Sequence, residues 1–248
     1  MPETNWPQAV EHLRPHIVRI STPSNSGTGF LISNTSNSNI CGVATAAHVV
    51  DHAHYWEEPI RIDHEGSGNS IVIRRDARAV LLDTIRDTAA IIFDRGQLPL
   101  PSSPLTLAPK DKYFKVGNEL AWLGFPAVSS ANLCFFSGRV SAWLERQSAY
   151  LVDGVAINGV SGGPAFFLAP EEGAPVILVG VVSAYVPNRA TGGELPGLSV
   201  VRDVSHFHEL APTFASLDQA REAEPTNQPE PPKPVGEGGG EAARRRTS

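Results

Sequence analysis

From about residue 14 to about 218 the chain alternates short apolar runs with turn residues. Twelve runs have the length and β-branched content of strands: HIVRIST, GTGFLIS, ICGVATA, NSIVIRR, AVLLDTI, TAAIIFD, LAWLGFP, FFSGRVSAW, AYLVDG, GPAFFLA, PVILVGVVSAYV and LSVVRDV. Glycine, proline, asparagine or serine separates most of them. Strands at this spacing, without helical segments between them, predict an all-β sandwich or barrel architecture. The polar, proline-rich stretch GQLPLPSSPLTLAPKDK over 96–112 splits the runs into two groups of about six, which fits two small barrels. The expected division is a lead segment over 1–13, barrel one over about 14–98, a linker over 99–112 and barrel two over 113–204. Two helical patterns flank this body. One runs from Trp6 to Leu13, and the other starts near Ser205, closes the domain by 218 and fades by Glu222. His206 and His208 fall in the second and read as surface residues. Asp51, His52 and His54, beyond the apolar run VATAAHVV, read as a solvated loop.

From 219 to 248 the composition collapses into EPTNQPEPPKPVGEGGGEAARRRTS and its flanks, where Val235 is the only large aliphatic residue. Such a segment buries too little apolar surface to offset chain entropy, and disorder is expected. The chain carries 26 acidic and 20 basic residues, a formal charge of −6. That balance argues against a surface built for nucleic acid, which needs a clustered basic face. No run reaches the ~18–20 consecutive apolar residues of a membrane-spanning helix. The N-terminus has neither the basic start nor the apolar core of a secretory signal. Cys41 and Cys134 are far apart and form no paired motif, and two free thiols in a reducing cytoplasm is the simpler account.

The most specific chemistry lies in DGVAINGVSGGPA over 153–165. Gly159, two positions before Ser161, lets the backbone take a conformation most residues avoid. The amides of Gly159 and Ser161 can then converge on one point, as an oxyanion requires. A tight glycine hairpin turn is the bland alternative. A serine hydroxyl is a weak nucleophile and needs a base within hydrogen-bond reach. His48, at the end of the apolar run VATAAH, offers one; a histidine satisfied at a core margin is the competing reading. The base in turn needs a carboxylate to fix its tautomer. Asp87, at the mouth of the apolar run TAAIIF, supplies it, with Asp83 as rival. His48, His52 and His54 with Asp51 have spacings that reach a metal, but His48 is already occupied if it is the base, so no metal and no cofactor is expected.

Taken together, T-A-A-H, D-T-A-A-I-I and G-V-S-G-G-P in this order resemble the trypsin/chymotrypsin-fold serine peptidases, closer to the HtrA type than to the disulfide-rich digestive enzymes. Gly27-Thr-Gly-Phe-Leu-Ile-Ser33 resembles the family's early glycine-flanked strand, and Gly124-Phe-Pro126 its glycine–proline turn. Gly180-Val-Val-Ser-Ala184 resembles the strand that pairs with substrate. The resemblance covers about 17–204. It implies two perpendicular six-stranded antiparallel β-barrels, with His48 and Asp87 on the first, Ser161 on the second and the site in the cleft between. It further implies peptide-bond hydrolysis by a Ser161–His48–Asp87 triad with Gly159 and Ser161 as oxyanion hole. The alternative is a catalytically silent module that holds a peptide in the same cleft.

The departures from the family matter as well. Val49 stands where the digestive enzymes carry a cysteine, so their histidine-flanking disulfide is absent. Val160 replaces the aspartate that binds a newly cut N-terminus, and no sequence remains for a PDZ domain. A cytoplasmic peptidase without a pro-segment needs another restraint, so restricted substrates or an activating partner protein are expected. By resemblance, Val155 lies at the base of the primary pocket and cannot select Lys or Arg. Ser183, Ala184 and Tyr185 form one wall, with Tyr185 narrowing the entrance. Cleavage after small or medium uncharged residues follows.

Overall fold

A computed structural model describes residues 5–32, 40–96, 98–101, 103–171, 173–188 and 195–222. Asn5 starts the first helix: its side chain accepts from the Gln8 amide at 3.2 Å, and Pro7 occupies a first-turn position whose N–H has no helical partner anyway. The helix, α1 (Trp6–Leu13), has the expected bounds and buries Ala9 and Leu13. Trp6 packs its ring against Phe135 and Phe166, tying the lead segment to the second half of the chain.

The chain is mostly β and folds into two barrel-like sheets, as the sequence predicts, but only one of them closes into a six-strand barrel. The first sheet holds β1 (Ile17–Ser21), β2 (Ser26–Leu31), β3 (Ile40–Thr45), β4 (Ile60–His64), β5 (Ser70–Ile73), β6 (Arg78–Asp83) and β7 (Thr88–Asp94) in the order β5-β4-β1-β2-β3-β7-β6. Among the described residues no ladder joins β5 to β6, so this sheet is a half-barrel. The second holds β8 (Thr106–Leu107), β9 (Glu119–Gly124), β10 (Cys134–Leu144), β11 (Ala149–Asp153), β12 (Pro164–Leu168), β13 (Val176–Asn188) and β14 (Leu195–Asp203). Pairing of β12 with both β9 and β13 closes a six-strand antiparallel barrel, and β8 adds to β13 in parallel.

Two strands went unread in the sequence. β4 reads IRIDH, whose charged outward positions interrupt the apolar run although Ile60 and Ile62 are fully buried. β8 is a two-residue pairing inside the proline-rich linker. The solvated loop expected around Asp51, His52 and His54 is instead part of α2 (Ala47–Tyr55), because Val49, Val50 and Ala53 turn one face into the core. The closing helix is α3 (Ser205–Glu222). His206 and His208, expected at the surface, pack inward: His206 is 8% exposed, and the His208 ring bonds the Ala108 carbonyl at 2.8 Å. Cys41 and Cys134 are both free thiols, Cys41 buried. Disorder is expected from 219, but 219–222 continue α3, and the rest of the tail lies outside the described residues.

Alternation explains how the two sheets share a core. In β9, Leu120 and Trp122 face the interior of the closed barrel, while Ala121 and Leu123 join the core shared with the first sheet. In β13 an extra residue in the β12 ladder, between Leu178 and Gly180, shifts this phase, so that Val179 and Val182 turn into the barrel while Leu178 and Val181 turn toward the first sheet. Strands buried on both faces read as continuous apolar runs, which is why LAWL and VILVGVV are unbroken in the sequence.

Candidate active site

His48 sits in the first turn of α2, two residues beyond the extended Ala46. Its Nδ1 lies 2.9 and 3.0 Å from the two carboxylate oxygens of Asp87. A carboxylate only accepts, so the proton rests on Nδ1 and leaves Nε2 as the basic nitrogen. The same carboxylate accepts the His48 backbone N–H at 3.0 Å. Ala46 provides no side-chain cap for α2, so Asp87 satisfies an otherwise orphan amide at the positive end of the helix. The Asn25 side-chain amide donates to the His48 carbonyl at 3.0 Å and restrains the residue from the other side.

Asp87 occupies the turn between β6 and β7 with φ +50°, a left-handed conformation that Asp and Asn tolerate better than most residues. Its rival is accounted for by the same turn. Asp83 accepts the amides of Ile85 and Arg86 at 3.0 and 2.9 Å and faces Arg86 and His206, so it shapes the turn that presents Asp87. Ser183 donates its hydroxyl to Asp87, a partner that sequence reasoning read only as pocket wall. The Asp87 bond raises the His48 pKa above its ordinary value against the opposing effect of burial. Burial pushes the Asp87 carboxyl up, but the bonds from His48 and Ser183 outweigh it and hold the acid below its usual range.

Ser161 lies in the turn between β11 and β12 and in this rotamer donates to the Ser183 carbonyl at 3.3 Å. His48 and Ser161 together line two cavities, one of about 520 Å3 with Thr22–Ser26, Ala127, Asn158 and Gly159, the other of about 300 Å3 with Ala156, Ile157, Asn158, Val182, Ser183 and Ala184. The loop between them has an informative hydrogen-bond pattern. Val160 N–H goes to Ile157 O, Gly162 N–H to Val182 O and Gly163 N–H to Val160 O, at 3.1, 2.7 and 2.9 Å. The amides of Gly159 and Ser161 have no acceptor among the described residues. The Asn158 carbonyl is held by the Ala127 amide at 2.7 Å. Because the peptide unit is planar and trans, the Gly159 N–H points the opposite way. Gly159 itself has φ +91°, and a Cβ there would lie 2.3 Å from the Phe125 carbonyl.

Ser183 and Ala184, expected to wall the primary pocket, line the smaller cavity. Val155 does not. It is 42% exposed, and its carbonyl accepts the Trp122 indole N–H at 3.2 Å; the inner position belongs to Ala156 at 6%. The chain turns at Gly154 after β11, so counting back from Ser161 overshoots the wall by one residue. The narrowing role expected of the Tyr185 side chain lies outside the described residues. The β12 ladder on β13 ends at Val181, while the β14 ladder continues through Ala184 and beyond. From Ser183 onward one edge of β13 therefore carries no strand among the described residues.

Residues 27–191 match the family model described as trypsin-like peptidase domain. No curated protein sequence matches significantly. Solved structures with a similar fold include Deg5, with 16% identity over 85% of this chain and 94% of that one at a TM-score of 0.61. Rv3671c from M. tuberculosis, in an inactive form, shares 21% identity over 92% of this chain and 98% of that one at a TM-score of 0.54. The HtrA-type protease AlgW with tripeptide shares 17% identity over 85% of this chain and 63% of that one, at 0.61.

Proposed function

Because this chain belongs to the trypsin-like peptidase domain family, we propose that it is a serine endopeptidase working through an acyl-enzyme intermediate. The observation that carries the reading is the His48–Asp87 pair at 2.9 Å, facing the same two cavities as the Ser161 hydroxyl and the uncommitted amides of Gly159 and Ser161. Ser161 Oγ bonds to the substrate carbonyl carbon as its proton passes to His48 Nε2. The resulting oxyanion accepts from the Gly159 and Ser161 amides, each donor of this kind being worth about 10²–10³ in rate. Collapse breaks the C–N bond, and His48 returns the proton to the leaving amine. Water then attacks the acyl ester, loses its proton to His48, and Ser161 Oγ is reprotonated as the acid departs. Asp87 keeps the imidazole oriented and stabilises its charged form.

The cavity of about 300 Å3 takes the side chain before the cut bond. Apart from His48 its lining has no ionisable group among the described residues, and Ala156, Val182 and Ala184 make it small and apolar. It suits Ala, Val, Thr or Leu. The open edge of β13 at Ser183 and Ala184 accepts the substrate backbone as an added strand. Ser161→Ala should abolish labelling by a fluorophosphonate probe while leaving the fold intact. Labelling that survives the substitution would put the nucleophile elsewhere, and an unlabelled parent would favour the silent peptide-binding alternative. A mixed peptide library should return soft preference among small uncharged residues, since one methylene is worth only about 1–3 kcal/mol. Strong preference for Arg or Lys would refute the pocket assignment.

A further inference from the structure

Packing does little to hold the His48 ring. Its side chain is 48% exposed, and it hangs from the first turn of a nine-residue helix, where backbone groups lack helical partners. The direction of the ring therefore depends on its main chain. The peptide plane before the His48 Cα is held by Asp87, which accepts the His48 N–H at 3.0 Å. The plane after it is held at the His48 carbonyl, which accepts the Asn25 side-chain amide at 3.0 Å. Val49 N–H, in that same second plane, bonds only within the helix's own first turn, to the Ala46 carbonyl at 3.2 Å. Two rigid planes meet at Cα with one rotatable bond on each side, so fixing both planes fixes where Cβ points. Among the described residues, Asn25 is the one hydrogen bond that ties the second plane to another element.

Asn25 is itself held. Its N–H donates to Thr22 Oγ1 at 2.8 Å and its carbonyl accepts the Thr22 N–H at 2.8 Å, closing a four-residue turn. Ser24, inside that turn, donates its hydroxyl to the Glu58 carboxylate at 3.0 Å and lies 3.0 Å from His52 Nδ1. His52 follows His48 by one helical turn, so the Thr22–Asn25 turn grips α2 at two successive levels. The same four residues wall the cavity of about 520 Å3 that His48 and Ser161 line. We propose that Asn25 is a positioning residue for the general base, and that the Thr22–Asn25 turn is a brace holding the imidazole between Asp87 and the cavities it shares with Ser161. This rests on the peptidase reading and adds to it that the wall facing the segment after the cut bond is also what aims the base. Asn25 acts through the His48 main chain.

Asn25→Asp keeps the shape of the side chain and removes the N–H that the His48 carbonyl accepts, and Asn25→Ala removes the polar group altogether. In steady-state kinetics on a chromogenic peptide, on the plateau above each variant's acid limb, both should lose about tenfold or more in kcat. KM should stay within about twofold, because a misaimed base costs the transition state and not the bound substrate. Ser24→Ala leaves the Asn25 donor in place and frees the turn from α2, so it should lose kcat in the same way but by less. A kcat within about twofold of the parent in both Asn25 variants, a loss confined to KM, or a Ser24→Ala enzyme equal to the parent would overturn the proposal. So would failure of both Asn25 variants to fold, which would make Asn25 a structural link only. Proton NMR separates this from the reading beneath it. If the parent neither labels with a fluorophosphonate nor turns over peptide, the peptidase reading fails. The brace is then read at the His48 Nδ1–H, which should give a sharp downfield resonance in the parent and one broadened by exchange with water in Asn25→Ala, at an unchanged Tm. Identical resonances in the two proteins overturn the brace.

Discussion

Gly162, one residue after the candidate nucleophile, lies tight against Thr28 and Thr45 of the first sheet, and Gly162→Ala measures how much that approach constrains the chain. Its φ is +87°, and a Cβ there would sit 2.0 Å from the Thr28 carbonyl and 2.1 Å from the Thr45 hydroxyl. Three costs follow. Left-handed backbone costs a residue with a Cβ about 1–2 kcal/mol. Forcing a carbon into a filled site costs about 1–3 kcal/mol. Displacing the Thr45 hydroxyl from the Thr28 carbonyl leaves buried polar groups unpaired, at about 1–3 kcal/mol. Together they come to about 3–8 kcal/mol, comparable to the ~5–15 kcal/mol that holds an ordinary domain folded. Gly173 provides the control: its φ is +77°, but nothing lies within 4 Å of an added Cβ. Gly173→Ala should therefore lose only the backbone contribution. Urea unfolding followed by tryptophan fluorescence reads both variants. Gly162→Ala should be the less stable by at least about 2 kcal/mol and should lose fluorophosphonate labelling. Stabilities within about 1 kcal/mol of each other would mean the loop relaxes freely, and the argument that packing decides here would fail.

Two further tests follow from the titrating groups. Activity needs neutral His48, and Asp87 raises its pKa, so kcat/KM should fall as pH drops through a value above the ordinary 6.5. Asp87→Asn keeps the turn, since Asn accepts left-handed φ, but should cost about 10³–10⁴ in kcat and move the residual acid limb to lower pH; an unmoved limb would show that another group titrates. His16 is 3% exposed, and burial lowers its pKa to about 4 despite the bond to the Leu31 carbonyl. The unfolded chain takes up this proton first as pH falls. The stability His16 contributes is therefore complete above about 6.5 and lost progressively toward pH 4, up to about 3 kcal/mol. His16→Gln should flatten unfolding free energy against pH in that window, and an equal slope in both proteins would refute the assignment.

Much of the site could be read without coordinates because its chemistry needs particular residue types in particular local settings. A serine after Gly159, a histidine closing an apolar strand and an aspartate opening another are local facts, and so is the strand period in the runs that carry them. The choice of Asp87 over Asp83 was legible only as a preference: both are four residues apart at one turn, and the backbone of that turn sends one carboxylate inward to its own amides and the other to His48. Where sequence distance had to stand in for direction, it failed. Val155 is one residue off because the chain turns at Gly154, and α2 was missed because its buried face is set by what packs against it, not by its polar composition. β4 was hidden by the charges on its outer face. Thr28 carries no signal of its own, being a threonine between two glycines on a strand. Segments near residues 45, 125 and 159 meet at this one residue only because the two sheets pack together, Thr45 on its carbonyl and Phe125 and Gly159 on its hydroxyl. Local pattern determines which groups are available for chemistry and what backbone they require; which of them meet, and in what direction their amides and carbonyls point, is decided by contacts between residues far apart in the chain.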